Sequence, residues 1–410
     1  TLHKGAYGAE HGGRLGSVLQ LNHRRPGTRP GGNLRLGLLS SRGSVHGPHP
    51  WGSWLLTARR STMEPILAEL NERDVDGVPE AFRFYDLNGQ VRFELPSGRI
   101  DASYYQGHDR MDFPFAANMV FDLSYGNRAG ALSWTRWSGD RLWTRVRASG
   151  STYRSESRAT LTRAPFGREN RIRDLGASAE AEYRLGEAHT LKGGLEATSY
   201  RFELRDTHNH QVELDRTKQP VEAAAFLQET FSPSARWEIE TGLRGTYFAY
   251  EGTDGYARLA PRLSAEYRPT DAIRVQLGAG RYHQFLGLDH TSILSSFHTW
   301  LPAGKGVEPA YGDQLTGGIK TDLTETIRLD VEGYVRTMKD LFELDPRRGD
   351  GRGLAYETLF HTGEGLAFGV ETLLEKRAGR ISGHLGYTWG KTGRRFADMN
   401  AGGTRSSASF

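Results

Sequence analysis

The chain of 410 residues contains no cysteine. That removes disulfide frameworks, thiolate metal sites and cysteine nucleophiles, and with them small secreted scaffolds and zinc ribbons. It also lacks any apolar run approaching the ~18 residues of a membrane helix, which excludes a helical membrane protein. A mean hydropathy of -0.59 would extend that exclusion to every membrane protein. The extension fails for a membrane β-barrel, whose strands alternate lipid-facing and lumen-facing residues and never show a hydrophobic run. Charge of one sign is scarce as well: 53 Lys and Arg stand against 49 Asp and Glu, a surplus of +4. The pI near 9.1 therefore reflects a small imbalance and no basic face, so nucleic acid is not an expected partner. Lysine is rare, eight of the 53 basic residues, a bias toward arginine that codon usage explains. Catalytic signatures are missing too. Ala303-Gly304-Lys305-Gly306 lacks the upstream Gly and the Ser/Thr of a phosphate loop, and neither His-Glu-x-x-His nor Gly-x-Ser-x-Gly occurs. The chain is not read as an enzyme, and no cofactor is expected.

What the chain has is period two. Along 235–250, Ala235, Trp237, Ile239, Leu243, Tyr247 and Ala249 fall on one face, and Arg236, Glu238, Glu240, Arg244 and Thr246 on the other. The same split recurs at 327–336 and 381–389. Alternation over such lengths predicts strands longer than the usual five or six residues. Trp237 and Tyr247 are ten residues apart, about 33 Å along a strand at roughly 3.3 Å per residue. A tilt of about 40–45° projects that to roughly 25 Å, the height of the apolar band between the aromatic girdles of an outer-membrane barrel. Glycine, at 51 of 410 residues, exceeds the usual ~7% and suits turns and small lipid-facing positions.

About eighteen strand segments are expected between residues 33 and 390, among them 99–107, 116–125 and 129–137. Short turns are expected at Pro96-Ser97-Gly98, Gly126-Asn127-Arg128, Gly186-Glu187-Ala188, Ser232-Pro233-Ser234, Pro269-Thr270-Asp271 and Arg377-Ala378-Gly379. Longer loops are expected near 61–79, 155–170, 205–218, 284–310 and 339–363. Short and long alternate, which gives an all-β, up-and-down antiparallel barrel with its long loops outside. One helix is expected at Pro65–Leu70, capped by Ser61 or Thr62.

The first 21 residues break the pattern and read as a glycine-punctuated turn feeding one strand: Tyr7-Gly8, then Gly12-Gly13-Arg14-Leu15, then an apolar stretch. This segment resembles the end of the plug domain of TonB-dependent outer-membrane receptors. Arg-Leu after Gly-Gly looks most like the group carrying a carboxypeptidase-regulatory-like domain ahead of the plug. Further pieces resemble the family's barrel: Gly37-Leu38-Leu39-Ser40-Ser41, Phe84-Tyr85-Asp86-Leu87-Asn88, Ala260-Pro261-Arg262-Leu263, Gly280-Arg281-Tyr282-His283-Gln284 and Gly386-Tyr387-Thr388-Trp389. The resemblance implies a plug end and linker over 1–28 and a barrel over 29–410, holding about 18 of the family's 22 strands. Both ends then read as cut, so the missing targeting signal says nothing about location. An open sheet of this kind would leave unpaired backbone groups at its two edges, costing several kcal/mol each in lipid. Such a fragment is not expected to insert as a monomeric barrel.

Function follows from the resemblance: energised uptake across the Gram-negative outer membrane of a large, scarce substrate such as an iron chelate, a corrinoid or a glycan. The expected partners are outer-membrane lipid, the TonB complex through the part of the plug that precedes this chain, and the small-molecule or glycan substrate. Two other readings stay open, a passive porin-like barrel and a soluble all-β carbohydrate-active protein with paired carboxylates. Candidate plug-end residues are Tyr7, Gly8, Gly12, Gly13, Arg14 and Leu15, with Arg14 docking on a lumen carboxylate such as Glu238, Glu240 or Glu332. Candidate ligand contacts in outer loops are Trp300, His298, Arg347 and Arg348, joined by Arg352 and the pair Tyr104-Tyr105. His208, His210, His283, His290 and His298 have no acidic residue at ligand spacing, so solvated loop histidines are expected and no metal site.

Overall fold

The computed structural model describes residues 2–3, 5–20, 29–75, 77–116, 119–161, 164–252, 254–289, 299–345, 354–396 and 406–407. Strand follows strand in antiparallel order, each pairing with its neighbours in sequence. The meander opens with Gly31–Arg35, Ser40–His49 and Gly52–Ser61, then Ala81–Leu95. Five strands of 19 to 21 residues follow: Gly98–Ala116, Met119–Ser138, Leu142–Leu161, Ala164–Arg184 and His189–His208. With the interrupted strand described next, they form a wall taller than the rest of the sheet. Gln211–Lys218 and Val221–Ser234 share one register against His189–His208, with Phe202 opposite Lys218 and Ser199 opposite Val221, so they are one strand interrupted at Gln219-Pro220. Proline brings no N–H to the ladder there, yet the Pro220 carbonyl still accepts from the Tyr200 N–H at 2.9 Å. Trp237–Glu251, Asp254–Thr270, Ile273–Gln284, Ala310–Asp322, Ile327–Leu344, Phe360–Lys376 and Gly383–Phe396 complete the circuit.

The circuit returns to its start only through the two-residue strand Ser406–Ser407. That strand pairs with Gly393 and Arg394. No register joins it to Gly31–Arg35 among the described residues, and the barrel is not closed along this line.

Alternation explains both faces. On the tall wall, Leu195, Ala179, Val146, Trp134 and Ile100 are successive cross-strand neighbours and form one outward row. The row above holds Ala197, Ala177, Ala148, Leu132 and Ala102. Leu195 is 65% exposed and Leu132 54%, values that make sense only if something apolar covers this face. Trp237 stacks on Tyr267 at 4.3 Å in the girdle of the next strands. Inward positions carry ion pairs instead: Arg145 with Glu180 at 3.0 Å, Arg92 with Asp101 at 2.6 Å, and Arg168 gripping both oxygens of Asp206 at 2.8 and 2.7 Å.

Three expectations are corrected. Gly126-Asn127-Arg128 is no turn, because it lies inside Met119–Ser138, and the segments 99–107, 116–125 and 129–137 are two long strands. Residues 155–170 and 205–218 are largely strand; in the second, Asn209 and His210 form a tight turn with φ of 49° and 63°. The cause is common to both. Where a strand rises past the apolar band, its outward residues become charged, so hydropathy alternation stops while hydrogen-bonded pairing continues. The helix runs Glu64–Glu72 with Pro65 in its first turn, but its N-cap is Met63 without a side-chain hydrogen bond. Thr62 instead donates to the Gly37 and Leu38 carbonyls at 2.7 and 3.1 Å, and Ser61 accepts from the Phe84 N–H at 3.1 Å, tying the helix to the barrel rim.

Candidate functional site

Residues 5–16 lie in the lumen between Leu2–His3 and Val18–Leu19, two short strands that pair with each other, and form no strand themselves to satisfy their backbone. Side chains of the barrel do so. The Arg262 guanidinium donates to the Tyr7 carbonyl at 3.1 Å and to that of Gly8. Arg244 donates to the carbonyls of Ala9 and Glu10 at 3.5 and 3.3 Å and holds Glu196 at 2.5 Å. Gln228 accepts from the Ala9 N–H at 2.8 Å, and Gln284 from that of Leu15 at 3.4 Å. Lys192 forms an ion pair with Glu10. Arg244 is 3% exposed and Arg262 8%, so these cations are spent on the segment and the lumen wall.

Tyr7 is the anchor. Its ring is 2% exposed and lies 4.6 Å from the Tyr282 ring, with the Arg262 guanidinium 4.8 Å from one ring centre and 4.7 Å from the other. A desolvated guanidinium between two aromatic faces gains from both. The Tyr7 hydroxyl donates to the Arg14 carbonyl at 2.6 Å, which closes the segment into a loop. Burial pushes the Tyr7 phenol well above its ordinary pKa, so it remains a donor. Two glycines are required here. Gly13 has φ of 71°, and a Cβ on Gly12 would run into the Arg244 guanidinium.

Above the segment sits an inward-folded hairpin, Leu286–Asp289 paired with Thr299–Pro302. Phe285 stacks on Phe248 at 5.1 Å, and Leu301 packs with Leu204 and Leu214. Tyr356 donates to the Pro302 carbonyl at 2.6 Å, and Tyr256 to that of Gly304 at 2.9 Å. The hairpin thereby reaches the tall wall and brings Trp300 over Arg14, with 5.7 Å from guanidinium to ring centre.

The structure thus gathers Tyr7, Gly8, Gly12, Gly13, Arg14, Leu15 and Trp300 at one place. His298, Arg347 and Arg348, with His290 and Arg352, lie outside the described residues. Arg14 meets Trp300 in place of the expected carboxylates; Glu238, Glu240 and Glu332 line a cavity of about 720 Å³ on the Gly5–Ala6 side. Arg14 also lies within electrostatic reach of the lumen carboxylate Glu222, and charges of the opposite sense are added by cations on the barrel and Glu10 on the segment. Tyr104 and Tyr105 cannot share a ligand, because neighbours on a strand face opposite ways: Tyr104 bonds Gln106 at 2.8 Å on the outer face, and Tyr105 bonds Asp86 at 3.1 Å inside. His283 is a buried strand residue whose Nε2 lies 3.1 Å from the Leu259 carbonyl. Among the described residues no group of three or more His, Asp or Glu is placed to hold a metal ion. Sequence reasoning missed the roles of Lys192, Gln228 and Arg244. Arg262 and Tyr282 were within reach, since both sit in the family-like pieces 260–263 and 280–284.

Comparison with known proteins agrees with this geometry. Residues 66–408 match the family model described as TonB dependent receptor-like, beta-barrel. No curated protein sequence matches the chain. Among solved structures, the copper transporter OprC superposes with a TM-score of 0.67 at 13% identity, covering 96% of this chain and 69% of its own. The ferric yersiniabactin uptake receptor FyuA from Yersinia pestis gives 0.65 at 14% identity, covering 92% and 63%. FpvAI, in complex with pyocin S2, gives 0.66 at 12% identity, covering 98% and 64%. The chain therefore spans roughly two thirds of these proteins, and at such identities they show the fold alone. With the family model matched over most of its length and a plug-like segment held in its lumen, the chain belongs to the TonB-dependent receptors, β-barrel proteins of the Gram-negative outer membrane.

Proposed function

We propose that the chain serves energised uptake of a large, scarce substrate, an iron chelate, a corrinoid or a glycan, with TonB as the source of work on the plug. The observation that carries this reading is the clamping of residues 5–16 by Arg244, Arg262, Gln228 and Lys192. A passive pore has no use for a lumen segment bound by buried cations, whereas a gated one needs a plug that stays until pulled. The inward hairpin supports the same reading, since it brings Trp300 to the outer side of the segment, where a captured substrate would meet both. Trp300, with His298, Arg347 and Arg348, supplies the stacking and anion-holding chemistry for that capture. The protein's work is binding and gating, without bond chemistry.

Uptake by cells carrying the receptor, with and without a working TonB, tests this. Ferric chelates, cobalamin and oligosaccharides are offered in turn, and liposome swelling is measured on the purified protein. Accumulation of one substrate only when TonB works, with no swelling, is the expected result. Swelling without TonB would move the assignment to the porin-like barrel.

A further inference from the structure

The clamp on residues 5–16 leaves two opposite charges unmatched. Arg262 is 8% exposed, and its guanidinium is spent on the Tyr7 and Gly8 carbonyls and on the rings of Tyr7 and Tyr282. Among the described residues no carboxylate comes within ion-pair distance of it, and its Nε donates to nothing. Glu240 is the complement. It is a half-buried carboxylate on the wall of the cavity beside Gly5 and Ala6, and it makes no ion pair or hydrogen bond among the described residues. Its nearest charge of like sign, Glu238, repels it. A buried cation and a half-buried anion, each without an ionic partner, are both unfavourable.

Register puts the two within reach of each other. Gly242 is the direct cross-strand partner of Arg262, and Glu240 stands two residues along the same strand, facing the lumen as Arg262 does. Such diagonal neighbours lie about 7–8 Å apart, close enough for two long side chains to meet. Glu240 already feels the Arg262 charge. The seated segment occupies the ground between them. Arg262 is flanked by glycine on both sides, Gly242 and Gly280, and a Cβ on Gly242 would come within 2.9 Å of that of Ala9. The other two clamping cations already have a carboxylate of the barrel at hand: Arg244 holds Glu196 at 2.5 Å, and Lys192 has Glu180 at 3.7 Å besides Glu10.

We infer that Arg262 is a two-position switch and that Glu240 is its second position. While the segment is seated, the guanidinium holds the Tyr7 and Gly8 carbonyls. When the segment is displaced, it turns to Glu240 and forms the bidentate pair that suits an arginine and a carboxylate. A buried cation stripped of its partners would otherwise oppose the displacement. Glu240 thereby lowers the work of release and slows re-seating, because the returning segment must first break the pair. The inference rests on the gating reading for its purpose, but its test needs neither substrate nor TonB, so it can fail while TonB-dependent uptake stands.

Hydrogen exchange at the amides of residues 7–11, including the Ala9 N–H that Gln228 accepts, is measured on the receptor in lipid bilayers, where it reads the equilibrium between seated and displaced segment. Glu240→Gln and Glu240→Ala should each slow exchange about tenfold, the scale of one charge-assisted hydrogen bond. Glu332→Gln, on the same cavity but on Ile327–Leu344, should leave it unchanged. In an Arg262→Gln protein the segment should exchange faster, and adding Glu240→Gln should then have no effect. Amides of Trp237–Glu251, followed in the same samples, report on the barrel. Faster or unchanged exchange in the Glu240 variants overturns the inference. So does loss of barrel protection in both, since Glu240 would then serve the seated state. Slowing that persists without Arg262 overturns it too, and gives Glu240 to Lys192, the other cation within its electrostatic reach.

Discussion

Leu243 and Arg244 are neighbours in sequence with opposite surroundings, and exchanging their characters tests the whole arrangement. Leu243 faces out, 49% exposed, beside Leu227 and Pro261. It lies six residues above the girdle residue Trp237, about 20 Å along the strand and roughly 14 Å along the membrane normal, close to the midplane of a 25 Å band. An arginine there should cost about 2–4 kcal/mol. Arg244 faces in, with two long hydrogen bonds to the carbonyls of Ala9 and Glu10 in the lumen segment and a short one to Glu196. Arg244→Leu removes these, at about 1 kcal/mol for each backbone contact, and also removes the desolvation penalty of a buried cation. The sheet itself should therefore change by less than about 1 kcal/mol, because Glu196 is exposed enough to regain water. The loss falls on residues 9–14, whose opening should become about 5–30-fold easier for a change of one or two kcal/mol. Urea unfolding of the receptor in lipid bilayers reads the first quantity, and hydrogen exchange at the plug segment reads the second. Leu243→Arg should lower the unfolding midpoint and leave exchange at 9–14 alone, while Arg244→Leu does the reverse. Equal loss of midpoint in both variants would refute the assignment of faces.

Other consequences are independent of that pair. Tyr7→Phe removes the hydrogen bond to the Arg14 carbonyl and should loosen the segment by about 1 kcal/mol, read as faster exchange of residues 8–15 with the barrel unchanged. Gly13→Ala meets a φ of 71° and should cost about 1–2 kcal/mol locally; proteolysis near residues 5–20 measures it, and wild-type resistance would count against the conformation. Glu10→Gln and Lys192→Met should each weaken plug retention, and the double variant should lose little more than either alone, since the two charges form one pair; additive losses would mean the pair is not formed. Arg168→Gln strands Asp206, whose side chain is 9% exposed, and should cost about 3–5 kcal/mol in unfolding free energy, the largest effect expected on the inner wall.

Much of this was legible in residue order. The pattern of 235–250 gave the two faces of Trp237–Glu251 correctly, including the inward Arg244, because a strand's side-chain period is fixed by its backbone. The turns at Pro96-Ser97 and Gly186-Glu187 were legible for a similar reason, their residues suiting tight connections between strands, while the turn expected at Pro269-Thr270-Asp271 falls at Asp271-Ala272, just past the strand end. The tall wall was not. Its upper strands carry Arg154, Glu156 and Arg158 outward, where no lipid rewards apolar residues, so the outward positions stopped looking different from the inward ones.

What the sequence determined alone is the set of properties that depend on near neighbours: strand, facing, the ten-residue spacing of Trp237 and Tyr247 on one face, and the glycine-rich turn of the amino-terminal segment. What the tertiary structure decided is every match across the lumen and across strands. Arg244 reaches Ala9 over 235 residues of chain, and Arg262 reaches Tyr7 over 255. Whether an inward arginine meets a carboxylate, a backbone carbonyl or a ring depends on the curvature of the sheet and the register of many strands. The same is true outside, where Arg171 and Arg154 become partners only because Ala164–Arg184 pairs with Leu142–Leu161 in one register among those that period two allows.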